Sequence, residues 1–469
     1  MSLNLGFLLA YSAALVVLGL LIGRRVSGTK DFFVAGRRLG PGLLFSTMLA
    51  ANIGGGSTVG ATGLGYRDGL SAFWWVGSAA AGSLVLALWI GPRIRRIAAE
   101  KDLKTVGDFI ELRYGRQVRA IVSALVWLGS LAIPAGQLIA IATILNVVTG
   151  VPKYVGCLIG GGVVIAYFTA GGLFTSAWVN MVQLAVKLGG FAVALPLALG
   201  AVGGFDTLAN VRADDAAYWN VWHGGPSGVA YLALLGPAFI VSPGLLQKIY
   251  GARDDRAVRI GVGLNAARLL LYAPVPVLMG LIARARFPDL PNRELALPMV
   301  LMHGVPPIVG SLGLAAVFSA EISAADAGLF MLTTSVSQDL YKRFLNPSAS
   351  DRRLLAVTRF AAVVCGVAAV AIAIASPSIV DVIGLFYALL GVSLFVPLLA
   401  GLYSRRAGTP EALASIGVGV ASMLSVHFST GGRGAGGFSP ALVGIAAAAA
   451  AFSIVFVSRI RGYEPQQAV

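Results

Sequence analysis

The stretch LLFSTMLAANIGGGSTVGATGLGY, residues 43–66, decides the fold. It is long and apolar enough to lie in a membrane, yet Asn52, Gly54, Gly55, Gly56, Ser57 and Thr58 fall halfway along it. A helix in lipid must satisfy its own backbone, so a glycine-rich interruption at mid-depth is tolerated only against protein or a watery cavity. Interrupted helices of this kind hold substrate and ions in secondary transporters. A glycine-rich packing face against a neighbouring helix is the competing reading.

The rest of the chain supports a membrane setting. Of 469 residues, 57% are hydrophobic and 12% charged, and the mean hydropathy is +0.83. Soluble domains carry roughly 25% charged residues. The net charge of +15 does not mark a nucleic-acid face, because the basic residues sit in short loops between apolar segments. Cys157 and Cys365 lie in apolar segments without metal-ligand spacing. The apolar start lacks a basic leader and a small-residue cleavage site, which points to a retained first helix. His223, His303 and His427 fall in or near loops and receive no role.

A spanning helix needs about 20 apolar residues, and the chain holds about thirteen such runs. Roughly three quarters of the Lys and Arg fall in alternate loops, which predicts an N-terminus outside and a C-terminus inside. That inside set includes Arg24, Arg25, Lys30, Arg119 and Lys248. Helices two to six and seven to eleven then form two halves that start on opposite sides. The second half opens on its own candidate interruption at Gly236, Pro237, Ser242, Pro243 and Gly244. Matched interruptions of this kind point to an inverted-repeat transporter. The expected architecture is a single all-α domain: an extra first helix over 1–25, repeats over 42–202 and 227–403, and two extra helices over 411–460.

Five further runs carry a resemblance. They are TVGDFIELRYG (105–115), LAIPAGQLIAIATILNVVTG (131–150), YFTAGGLFTSAWVNMVQ (167–183), SPGLLQKIYGARDDRAVR (242–259) and SAEISAADAGLFMLTTSVSQDLYKRFL (319–345). In order and in combination they resemble the sodium:solute symporter family. The resemblance implies a leucine-transporter-type five-plus-five inverted repeat and a multi-pass protein of the cell membrane that is not an enzyme. It also implies sodium coordination by the carbonyls of Ala50, Ile53 and Ala320 and the hydroxyl of Ser323. Ala324 departs from the family, which usually has a second hydroxyl there. A second cation position, carried by an aspartate and small hydroxyls in some members, corresponds here to Asn180 and Asp326.

Lys187 and Glu321 are also intramembrane. Lys187 lies about 10 Å beyond Asn180 on the same helix face, and Glu321 about 7.5 Å beyond Asp326 on an opposed helix. Intramembrane charges normally pair, so an ion pair between the two is expected, either structural or in contact with substrate or ions. The substrate site is expected at Asn52, Gly54–Thr58, Gln137 and Arg268. Backbone N–H groups at a half-helix N-terminus suit a carboxylate, and Ser57 falls where a sialic-acid-transporting family member holds one. Arg268 falls near a lysine of sugar-transporting members.

The function expected from these residues is symport of a small solute, with a carboxylate-bearing one favoured, driven by sodium with a proton as the alternative ion. A non-transporting sensor is the rival from another class, and the chain's end at Val469 argues against a fused signalling domain. A channel is disfavoured because the charges are few and not ring-like. The expected partners are the solute and the lipid bilayer, with no nucleic acid and no partner protein implied.

Overall fold

The computed structural model describes residues 34–461 except 170–172, 224–227, 433 and 436, together with isolated helical positions before residue 34. The expected first helix over 1–25, the basic residues Arg24, Arg25 and Lys30, and the glycines of the 167–183 run lie outside the described residues. Among the described residues the architecture is all-helical, and ten helices are long and apolar enough to cross a membrane. Three of the thirteen expected runs are not in that set as separate spans. One is the first segment. The others are the interrupted helix, whose first half Pro41–Asn52 has only 12 residues, and the 17-residue helix Lys153–Thr169.

Ten helices build the site. They are α1 (Pro41–Asn52), α2 (Ala61–Asp68), α3 (Phe73–Val85), α4 (Ala132–Thr149) and α5 (Leu173–Ala201). They continue with α6 (Gly228–Val241), α7 (Pro243–Tyr250), α8 (Asp255–Tyr272), α9 (Pro307–Thr334) and α10 (Ile379–Tyr403). α1 starts on Pro41, whose missing N–H costs nothing in a first turn. It runs about 18 Å at 1.5 Å per residue, then stops where Ile53 turns extended. One wide turn over Gly56–Gly60 restarts the helix as α2. The interruption is therefore a true break.

The second break sits at Ser242 alone. Its backbone leaves the helix (φ −52°, ψ 118°) because the following Pro243 disfavours the α conformation before it. Gly236 and Pro237, expected to share in that break, lie inside α6.

α9 is the axis of the molecule. Its span is 83% buried over the most apolar window, against 28% for the peripheral helices Thr409–Thr430 and Pro440–Arg461. It is apolar on nearly every face, as a fully enclosed helix should be, and packs against α1, α4 and α5. Its continuation Ser335–Leu345 carries Asp339 to a polar clamp. There buried Arg119 reaches Asp108 at 2.9 Å, Glu111 at 2.8 Å and Asp339 at 2.7 Å. Arg119 was expected among the loop cations, but it is an enclosed crosslink.

Candidate functional site

Four oxygens converge where α1 breaks against α9. Ser323 on α9 lies within hydrogen-bond reach of the carbonyls of Ala50 and Ala320, both at 2.9 Å. The Ile53 carbonyl faces the same point, because the break frees it from helical pairing. These are the four groups expected to hold a cation, and the fold does bring them together.

The group at their centre is the side chain of Lys187, wholly buried on α5. Its ammonium donates to the Ala50 carbonyl at 3.0 Å, to the Ile53 carbonyl at 3.2 Å and to the Ser323 hydroxyl at 2.7 Å. The expected Lys187–Glu321 ion pair is therefore corrected. Glu321 Oε1 instead accepts from the Thr58 hydroxyl at 2.7 Å, and its Oε2 makes no hydrogen bond among the described residues. The two residues are near enough to interact electrostatically, but the freed carbonyls of the break lie closer to the ammonium than the carboxylate does. Sodium does not fit this cluster as it stands. A second unit charge 4 Å from the ammonium would be repelled by about 4 kcal/mol at an effective dielectric of 20.

The second cation position is also lysine-lined. Asn180 donates to the Thr47 hydroxyl at 3.3 Å, while Lys248 on α7 donates to the Thr47 carbonyl at 3.1 Å. Asp326 is the electrostatic partner of Lys248. Lys248 is 3% exposed, so its assignment to an inside loop is corrected. The helix restart at Pro243 carries it back into the core. A lysine five residues after a Ser-Pro helix restart was the sequence signal for this.

Beside these cations lies a cavity of about 80 Å³. Asn52, Gly54, Gly56, Ser57 and Gln137 line it, as expected, together with Lys248. Trp75, Phe239, Met331, Ile383 and Tyr387 supply apolar walls that the sequence reading did not single out. Gly55 and Thr58 turn away, toward Gln137 and Glu321. The expected carboxylate nest at the break is largely occupied by the protein itself. The Gly54 N–H is taken by Ser57 Oγ at 3.0 Å and the Gly55 N–H by Gln137 Oε1 at 2.5 Å. The N–H groups of Ser57 and Thr58 both go to the Gly54 carbonyl.

Arg268 is not at the cavity. It is exposed on α8 and borders an outer groove beside Phe191, Leu195 and Tyr272. One residue on a helix is about 100° of rotation, and the inward face carries Asn265 and Leu269 instead. Asn265 accepts from Asn52 Nδ2 at 3.1 Å and donates to Ser83 at 3.3 Å.

Two broken helices, a central cavity between them and buried cations at the breaks define a membrane transporter of the interrupted-helix class. The chain belongs to the sodium:solute symporter family, whose description matches residues 32–419, a family of sodium-coupled transporters rather than enzymes. The chain is 26% identical over 428 residues to the high-affinity proline transporter PutP of Bacillus subtilis, covering 87% of this chain and 89% of that one. It is 24% identical to the sodium/proline symporter of Escherichia coli, over 77% of this chain and 75% of that one. Its fold is similar to that of a Na+-coupled sialic acid symporter solved in a substrate-bound outward-open state. The TM-score is 0.83, with 18% identity and 98% of both chains covered.

Proposed function

We propose that this chain is a cation-driven symporter that carries a small carboxylate-bearing solute across the cell membrane by alternating access. One observation carries the reading: the cavity between the two breaks combines a buried ammonium with polar side chains on one side and an apolar wall on the other. At about 80 Å³ the cavity suits a small solute. Lys248 supplies the charge for a carboxylate, Asn52, Ser57 and Gln137 the orienting polar groups, and Trp75, Phe239 and Tyr387 the apolar contact. Two of the relatives are named as proline transporters, so an imino or amino acid of that size is the first solute to test.

The topology belongs to the same proposal. Thirteen helices, an outside N-terminus, an inside C-terminus and repeats over 42–202 and 227–403 are supported by the basic-loop asymmetry and by an interrupted helix near the start of each half. No partner protein or nucleic acid is part of this reading. Sodium is the family's coupling ion. Proton coupling is the second reading, favoured by the ammonium lying on the cation-site oxygens and by buried Glu321 and Asp326.

Uptake of radiolabelled L-proline and other small amino acids by proteoliposomes, with a sodium gradient alone and then a proton gradient alone, tests both readings. Proline methyl ester, which lacks the carboxylate, should not compete. Competition by the ester equal to that by proline would remove the carboxylate assignment, and absence of gradient-driven uptake for every carboxylate tried would remove the symport reading.

A further inference from the structure

We infer that the ammonium of Lys187 is the resident cation of the cluster formed by Ala50, Ile53, Ala320 and Ser323, and that sodium does not bind at that cluster in this protein. The inference deepens the symport reading above and rests on it, because that reading is what makes the cluster a cation position.

The argument is one of matched valences. An ammonium has three N–H donors, and here it meets three acceptors at 2.7–3.2 Å, two carbonyls of the broken helix and the Ser323 hydroxyl. The Ala320 carbonyl is served by the same hydroxyl at 2.9 Å. Lys187 is 0% exposed, so water does not compete for these bonds. A metal ion in contact with the same oxygens would have to share their lone pairs with a fixed positive charge. The surroundings agree with a built-in cation. Glu321, wholly buried on α9, lies near enough to interact electrostatically with Lys187, and Thr58, one turn beyond the break, fixes its Oε1. Lys248 and Asp326 are the next charges and interact with each other.

The departure at Ala324 also follows. A metal ion seeks further oxygens around it, and a second hydroxyl at this position would supply one. A three-donor ammonium is already saturated by three acceptors and leaves no role for it. The amine performs the structural task of a bound ion, joining the broken helix to α9, but a covalent arm from α5 delivers it. The junction is thus independent of the external sodium concentration.

Sodium titrations of the purified full-length protein in lipid nanodiscs, followed by thermal unfolding with choline replacing sodium at constant ionic strength, test this. Wild type should show no sodium-specific shift that depends on Ser323. Lys187→Ala combined with Ala324→Ser should gain a saturable upward shift with sodium and none with choline. A saturable sodium shift in wild type that Ser323→Ala abolishes would overturn the inference. So would a folded double variant that gains no sodium response. A wild-type shift that survives Ser323→Ala places sodium elsewhere and upholds it. Should the double variant not fold, the comparison of wild type with Ser323→Ala decides alone. Failure of solute uptake would remove the symport reading without altering these equilibrium titrations.

Discussion

A single methyl added at Gly54 tests how tightly the break is set against α9. The new carbon would lie 2.3 Å from Ala324 Cβ and 2.6 Å from Gln137 Oε1. Carbon pairs settle at about 3.5–4.0 Å, so the break would have to withdraw by more than an ångström. It is not free to do so. The Gly54 N–H is held by Ser57 Oγ, its carbonyl accepts from the Thr58 N–H at 2.9 Å, and Gly55 is held by Gln137. Overpacking of this kind costs about 1–3 kcal/mol, and 2 kcal/mol is about a 30-fold change in an equilibrium constant. Gly54→Ala should therefore lower unfolding stability by that amount and weaken solute binding, because Gly54 lines the cavity. Ala324→Gly removes the opposing methyl at its own cost of about 1 kcal/mol for glycine in a helix. The pair should then be less destabilised than the two single losses added, by about 1 kcal/mol or more. Unfolding midpoints and solute titrations on the four proteins measure this. Strictly additive losses would refute the claim that the break and α9 are in limiting contact.

Lys248→Met keeps the length of the side chain and removes its charge; affinity for a carboxylate solute should fall at least tenfold in a solute titration, and the preference for proline over its methyl ester should narrow. Ser323→Ala deletes the hydroxyl that Lys187 and the Ala50 and Ala320 carbonyls share, and should cost about 1–3 kcal/mol of stability, read as a lower unfolding midpoint. Arg119→Leu leaves Asp339 enclosed without its cation and should cost about 3–5 kcal/mol; Arg119→Lys, a single point charge facing three carboxylates, should recover only part of this. Glu111 belongs to the same clamp: burial works to raise its pKa, but hydrogen bonds from Arg343 and Arg119 hold it below the ordinary 4.5. Its contribution should be fully present above pH 4.5 and lost on acidification below that, so the unfolding midpoint should fall there less steeply in Glu111→Gln than in wild type.

Much of the architecture was readable because the bilayer imposes a simple rule on backbone groups. Apolar length marked the helices, and a glycine run in mid-span marked the first break. The second break was placed too broadly: the backbone leaves the helix only at Ser242, before Pro243, while Gly236 and Pro237 are absorbed within α6. The oxygens of the cation cluster were legible from the resemblance. What fills them was not. Counting residues along α5 put Lys187 within electrostatic reach of Glu321, but a residue count does not say whether a side chain meets a carboxylate or a carbonyl. Arg268 shows the same limit in rotation, where an error of one residue exchanges a cavity wall for an exposed face. Lys248 was hidden by its neighbours. The run QKIYGARDDRAVR reads as a charged loop, yet its first residues continue α7, and only the buried packing of that short helix turns the lysine inward.

Met331 has a consequence for how the two cavities are coupled. It lines both the solute cavity and a smaller one of about 20 Å³ that extends past Gln247 and Thr334 to Asp339. The residue common to both linings is an unbranched thioether with three rotatable bonds. Side-chain rotations belong to the nanosecond range when unhindered, whereas helix movements take microseconds or longer. Met331 is 4% exposed, so its rotation is tied to the packing of α9 and its neighbours, and a change in that packing would alter both cavities together. A stiff, bulky side chain in that place would adapt less readily to such a change and would couple the two cavities more rigidly.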